Sequence, residues 1–327
     1  MLRLAFGLVL VAAVTLLLVW RGSSLATIGD AFTAVRWWWV AAAVALNLLS
    51  VLVRALAWTI VIRCAVPPPH PAAPLVFSAF SVGLFANAVL PGRIGELARV
   101  AVLTRKLPTR KGIWATLVGT VFAHRVFDLI PVLLLVLYVV VTANVPNAAR
   151  ASLLAVTCIG VVLFAFAFVS GRRPHALRFD GLGPARRLLA MGRQGLGIMR
   201  SPGGTAAAVF SQTSGWVCQL FAVLAAMRAF DIHSGLPTAG VVLLLMNVVT
   251  IFPFWPGNVG LTQVAIASAL TGYGVAYAHG IAYGLGLQAI EASVGIGAGL
   301  LFFVHAGVSL ANLKLLRGEL AQPTGTV

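Results

Sequence analysis

Acidic side chains are scarce in this sequence. Of 327 residues only seven are Asp or Glu, against 23 Lys or Arg, and charged residues of both signs make up 9% of the chain. A water-soluble domain needs far more charge to cover its surface, so that class is excluded. Cysteine is nearly missing as well. Cys64, Cys158 and Cys218 stand singly in apolar runs, without metal spacing or a disulfide framework, and read as small buried hydrophobes. The sequence has no metal-ligand cluster, no Gly-x-Ser-x-Gly, no Gly-x4-Gly-Lys-[Ser/Thr] loop and no dinucleotide fingerprint. It also has no polar segment large enough to house soluble chemistry. The expectation is a protein that is not an enzyme and uses no cofactor.

What is present is apolar. Hydrophobic residues make up 60% of the chain and the mean hydropathy is +1.01. The fold class expected is all-α: a polytopic membrane helical bundle forming one integral domain over residues 1–327. The net charge of +16 would point to nucleic acid in a soluble protein. Here the basic residues fall in loops and mark the cytoplasmic side, with attraction to anionic headgroups as a second reading, and no nucleic-acid partner is expected. Apolar segments are expected at 4–20, 37–62, 73–90, 113–142, 150–170, 205–230, 236–252, 259–271 and 276–304. The first is read as a retained span rather than a signal peptide, because Trp20-Arg21-Gly22 is a poor cleavage site. Residues 22–36 read as a link, 171–204 as a basic cytoplasmic loop and 311–327 as a short tail.

Two of these segments are cut by the same step. Pro91-Gly92-Arg93-Ile94-Gly95 and Pro256-Gly257-Asn258-Val259-Gly260 both read Pro-Gly-x-x-Gly after an apolar run, 165 residues apart. Pro-Gly stops a helix, and the helix that follows opens with free N–H groups and a partial positive charge. At membrane depth such breaks persist only where protein or a polar cavity covers them, and paired breaks in two halves mark transporter binding sites. If both segments dip in and return, 17 Lys and Arg lie on one side and four on the other, with Arg54 and Arg125 inside spans. Both termini are then cytoplasmic. The halves, about 1–145 and 146–310, become inverted-topology repeats with two re-entrant segments. Eight full spans are the alternative.

Few residues carry chemistry. Glu96, Asp128 and Glu291 sit in or beside apolar segments, where a charge is usually paired and functional. Arg125 and Asp128 are three apart on one helical face, as are Arg93 and Glu96. Arg54 has no acidic neighbour in sequence, so Asp128, Glu96 or Glu291 is its candidate partner. These pairs either lock helices together or serve a site in which Arg93 and the helix start after Gly92 receive a phosphate-bearing headgroup. Arg93 and Arg99 also read as positive-inside markers. Asn258 offers the second break's helix start. Asn87 and Asn247 suit the freed backbone beside the breaks, His124 a satisfied buried position, His279 an interface, and Gln212 with Gln219 interhelical hydrogen bonds. The glycines of 280–299, including Gly295-Ile296-Gly297-Ala298-Gly299, suit close helix packing.

Taken together, Asn87-x3-Pro91-Gly92-Arg93-x-Gly95-Glu96-x2-Arg99, Arg125-x2-Asp128 and Pro256-Gly257-x2-Gly260 resemble the membrane region of the lysylphosphatidylglycerol synthases, a flippase-like family. The resemblance covers nearly the whole chain. It implies a multi-pass protein of the bacterial cytoplasmic (inner) membrane that moves a phospholipid or lipid-linked substrate between leaflets. The substrate-binding residues it implies are Asn87, Pro91, Gly92, Arg93, Glu96, Arg99, Arg125, Asp128, Gly257, Asn258 and Gly260. The soluble domain of the full-length synthases has no counterpart in this sequence, so the synthase reaction is not expected. The family usually has Glu where His124 and Gln263 stand. Their loss makes a cavity less negative and favours a neutral or anionic headgroup over a cationic one. Two other readings stay open: a non-transporting scaffold that partners a lipid-modifying enzyme, and a transferase acting on lipid-linked sugars through Glu96 or Asp128.

Overall fold

The computed structural model describes residues 25–89, 94–107, 113–143, 147–172, 196–250 and 258–305. The expected first span 4–20, the break residues Pro91, Gly92, Arg93, Pro256 and Gly257, most of the basic loop and the tail lie outside them. All the described regular structure is helical: α1 Leu25–Thr33, α2 Trp37–Ala65, α3 Ala73–Val89, α4 Gly95–Lys106, α5 Ile113–Thr142, α6 Asn147–Arg172, a 3₁₀ turn Leu196–Arg200, α7 Pro202–Ala229, α8 Leu236–Val249, α9 Leu261–Thr271 and α10 Tyr277–His305. Four of these are long and apolar enough to cross a membrane: α2, α5, α7 and, over Tyr277–Leu300, α10. Large apolar side chains point outward on α5 (Leu134, Leu137, Val141) and α6 (Ile159, Val162, Phe166), as lipid contact requires.

Helix boundaries follow local chemistry. α7 starts at Pro202 after Ser201, whose hydroxyl accepts from Gly204 N at 3.2 Å, an N-cap with proline in the first turn. α2 stops at Val66, where Pro67-Pro68-Pro69 follow and cannot continue a helix. Two expectations are corrected here. The link 22–36 contains helix α1. The C-terminal part of the basic loop is not polar surface, because Leu196, Ile198 and Met199 are buried and α7 has begun by Pro202. The cysteines are corrected too. Cys64 and Cys158 are exposed and Cys218 is partly so, all three as free thiols. In a bundle bathed in lipid an apolar helical position is as often outward as inward.

Shifting the first half by 165 residues superposes its helix limits on the second. α2 falls on α7, α3 on α8, α4 on α9 and α5 on α10, each within a few residues. α2 and α7 also form the most extensive helix pair. They run antiparallel: Arg36 N donates to Ala229 O at 2.9 Å at one end, and Cys64 lies against Gly204 at the other. Midway, Ser50 Oγ donates to Gly215 O at 2.7 Å, and 50 and 215 are themselves 165 apart. The remaining packing is reciprocal: α3 lies on α10 and α8 on α5, α4 on α5 and α9 on α10.

α10 is the central post. Gly280 meets Ala267 and Gly284 meets Gln263 on α9, while Gly299 meets Ser81 and Phe85 on α3. Phe302 stacks edge-on to Phe77 with ring centroids 5.2 Å apart. Both neighbours therefore run antiparallel to α10. α9 thus meets the N-terminal half of α10, and α3 its C-terminal part. The glycine expectation holds only in part, because Gly295 and Gly297 face open space. A Cβ at Gly299 would fall 2.7 Å from the Ser81 carbonyl oxygen and closer still to Phe85. Gly299→Ala should cost about 1–3 kcal/mol, read as a lowered unfolding temperature in detergent. Gly297→Ala should leave that temperature unchanged or slightly raised.

Candidate functional site

The helices on either side of the first break pack against each other. α4 folds back on α3, with Gly95 against Gly83 and Asn87, and Asn87 Oδ1 accepts from Gly95 N at 2.8 Å. Asn87 thus satisfies a free N–H near the start of α4, as expected of it. At the second break the work falls to a different residue. Asn247 Nδ2 donates within its own helix to Leu243 O, whereas Asn258 Nδ2 crosses the break to Val249 O at 2.7 Å. Asn258 and Gly260 have φ of +46 and +93, and at Gly260 glycine relieves the strain a side chain would add. Gly260 N donates to Gln263 Oε1 at 2.6 Å. Gln263 Nε2 donates in turn to Gln288 Oε1 on α10.

Between the breaks lies a network of charges. Glu96 on α4 pairs through Oε2 with Arg99 and through Oε1 with Arg125 on α5. Arg125 Nη1 also reaches Asp128 Oδ2 at 3.1 Å. Asp128 Oδ1 accepts from Arg54 Nη2 at 3.2 Å, from Trp216 Nε1 at 2.9 Å and from Gln212 Nε2. Arg54 Nη1 donates to Gln219 Oε1 at 3.3 Å, and Gln219 Nε2 donates to Glu291 Oε1 at 3.3 Å. Asp128 is thus the partner of Arg54, one of the three candidates. Glu291 and Gln288 are three apart on α10, so they share a face. A run of polar side chains therefore leads from Glu96 beside the first break to Gly260 beside the second.

The arginines differ in access. The Arg99 side chain is 4% exposed, with its guanidinium 4.5 Å from the centre of the Trp58 ring and 5.3 Å from that of Phe80. It braces the site from within rather than marking a loop. Arg125 is 48% exposed and is the accessible cation of the cluster. His124 is buried, edge-on to Phe80 at 5.9 Å. His279 Nε2 lies 2.6 Å from Phe230 O, an interface position. Of the residues expected at the site, the fold gathers Glu96, Arg99, Arg125 and Asp128 into one cluster. It sets Asn87 at one break and Asn258 with Gly260 at the other. Pro91, Gly92, Arg93 and Gly257 lie outside the described residues. Trp216 and Gln288 were missed. Their signal was present: Gln212, Trp216 and Gln219 recur at helical spacing on α7, and Gln288 stands one turn before Glu291.

A family model for the lysylphosphatidylglycerol synthase TM region matches residues 4–299. The chain belongs to that family. No curated protein and no solved structure matches it. Membership makes it a membrane protein linked to lipid metabolism or flipping, and the bundle agrees with a multi-pass protein that meets lipid on its outer faces. Within that family chain, Asp128 is the network's hub. Asp128→Asn removes the counter-charge of Arg54 and leaves Arg125 to Glu96 alone, and should destabilise the protein by about 3–5 kcal/mol in detergent unfolding. Asn87→Ala, which orphans only the Gly95 N–H, should cost about 1 kcal/mol.

Proposed function

We propose that the chain is a lipid flippase or transporter, passing the headgroup of a phospholipid or lipid-linked substrate along the polar run between the two Pro-Gly breaks. The observation that carries this reading is the charged network itself. It lies inside a bundle of membrane-crossing helices, and it joins the vicinity of one break to that of the other. Charges at membrane depth cost about 2.5–3.5 kcal/mol or more each, and line substrate or ion pathways where they occur. The 165-residue offset and the antiparallel pairing of α2 with α7 support an inverted repeat, whose two-fold axis would run between these two helices. The packing of α4 against α3 supports a first segment that dips in and returns. In this reading both termini are cytoplasmic, the membrane is the bacterial inner membrane, and no step of covalent catalysis is involved. Arg125, with Arg93 and the start of α4, receives the phosphate. No nucleotide motif occurs in the sequence, so movement runs downhill or is ion-coupled.

One observation favours a second reading. Arg54, Arg99 and Arg125 each have a carboxylate partner, as in a network that only locks helices. The chain would then be a scaffold for a lipid-modifying enzyme. Reconstitution decides between them. Headgroup translocation in proteoliposomes should fall about tenfold or more in an Arg93→Ala, Arg125→Ala double variant, as expected for losing charge-assisted hydrogen bonds. Equal rates in wild type and variant, with a lipid-modifying enzyme co-purifying, would instead establish the scaffold.

A further inference from the structure

The carboxylates of the network are of two kinds. Glu96 and Asp128 each lie between two arginines. Glu291 forms no such ion pair among the described residues, and its side-chain partner is a neutral amide, Gln219 Nε2 at 3.3 Å. An ionised carboxylate in a membrane-crossing helix with only an amide to hold it gains far less than one held by guanidinium groups. Glu291 is therefore the acid of this network for which taking up a proton costs the fewest contacts.

The hydrogen bonds around it have a direction. Arg54 reaches Asp128 through Nη2 and Gln219 through Nη1. Gln219 accepts that bond at Oε1 and passes one on from Nε2 to Glu291. The ionised acid, which only accepts, completes the chain. Protonated Glu291 accepts through a neutral carbonyl, and such a bond has about half the strength. Otherwise it turns the Gln219 amide to receive its O–H, which points the amide NH2 at Arg54, donor against donor. Either way the link from α10 to the α2–α7 pair weakens and Arg54 is left to Asp128.

We propose that Glu291 is a proton-binding site, taking its proton from water and returning it, and that its protonation loosens α10 from α2 and α7. Of the helices packed on α10, α2 brings Arg54 to this chain. α7 brings Gln219, its Cys218 and Arg228 being unbonded to Glu291. α1 carries exposed Asp30, and α3 and α9 carry no titratable side chain. On α10 itself Tyr283, two turns earlier, donates to Val223 O at 3.3 Å, and His279 is bonded at Phe230. A role for this proton in driving headgroup movement rests on the transport reading above; the proton site does not.

Infrared difference spectroscopy of the full chain in lipid nanodiscs, titrated from alkaline to acid pH, reads the site without any transport. A protonated-carboxyl stretching band should appear on acidification and be missing in Glu291→Gln. Gln219→Leu, which removes the bond favouring the anion, should move its titration to higher pH by about one unit. A band of wild-type size in Glu291→Gln overturns the proposal. So does an unmoved titration in Gln219→Leu, which decides the matter should Glu291→Gln not fold. In proteoliposomes, translocation that changes over the same pH range in wild type but not in Glu291→Gln supports coupling. A titrating band with pH-independent translocation overturns the coupling and keeps the site. A titrating band with no translocation at any pH counts against the transport reading alone.

Discussion

Asp128 is the constraint on which the rest of the bundle depends. It brings one carboxylate from α5 between arginines of α2 and α5, and adds an indole and an amide from α7. In lipid there is little hydrophobic force to pull helices together, since the surrounding tails are as apolar as the side chains. Shape and polar contacts must set which helices meet and in what register. A carboxylate that needs several donors at once does this sharply, because Gln212 and Trp216, one turn apart on α7, both reach it only in one register. The arginines are bound by the same rule from the other side, each needing an acid to be tolerated at this depth.

The two halves share a backbone plan but not a charge plan. Their helix limits repeat at 165 residues, and the two breaks repeat with them. The partner of Arg54 at that offset is Gln219, and the two side chains touch. Within the network the carboxylate–arginine pairs gather on α2, α4 and α5, while the second half contributes amides, an indole and Glu291. Ion pairs therefore gather beside the first break, and neutral hydrogen bonds beside the second.

The breaks are sealed by side-chain amides. Asn87 accepts the Gly95 N–H, Asn258 donates to the Val249 carbonyl and Gln263 accepts the Gly260 N–H. Each bond answers a backbone group that a Pro-Gly step would leave exposed to an apolar surrounding, where it costs several kcal/mol. Gln263 accepts at Gly260 and donates to Gln288, so one neutral amide both caps the start of α9 and ties it to α10.

The sequence by itself determined the class and most of the helices. Hydrophobic runs long enough to cross a bilayer leave the backbone few options other than helix, so α2, α5 and α7 lie within a few residues of their expected limits, and α3 and α8 end at Val89 and Val249, ahead of the two Pro-Gly steps they were expected to meet. It also marked Glu96, Asp128 and Glu291, because acids are so rare here that each stands out. Only the tertiary structure decided their partners. Arg54 and Asp128 are 74 residues apart, and which of three acids an arginine meets depends on helix rotation and register that periodicity cannot supply. The same holds for Asn258 taking the part expected of Asn247, for Gly299 being packed while Gly297 is not, and for cysteines that face outward. In an apolar chain every face looks alike in sequence, and neighbours alone distinguish an inward face from a lipid-facing one.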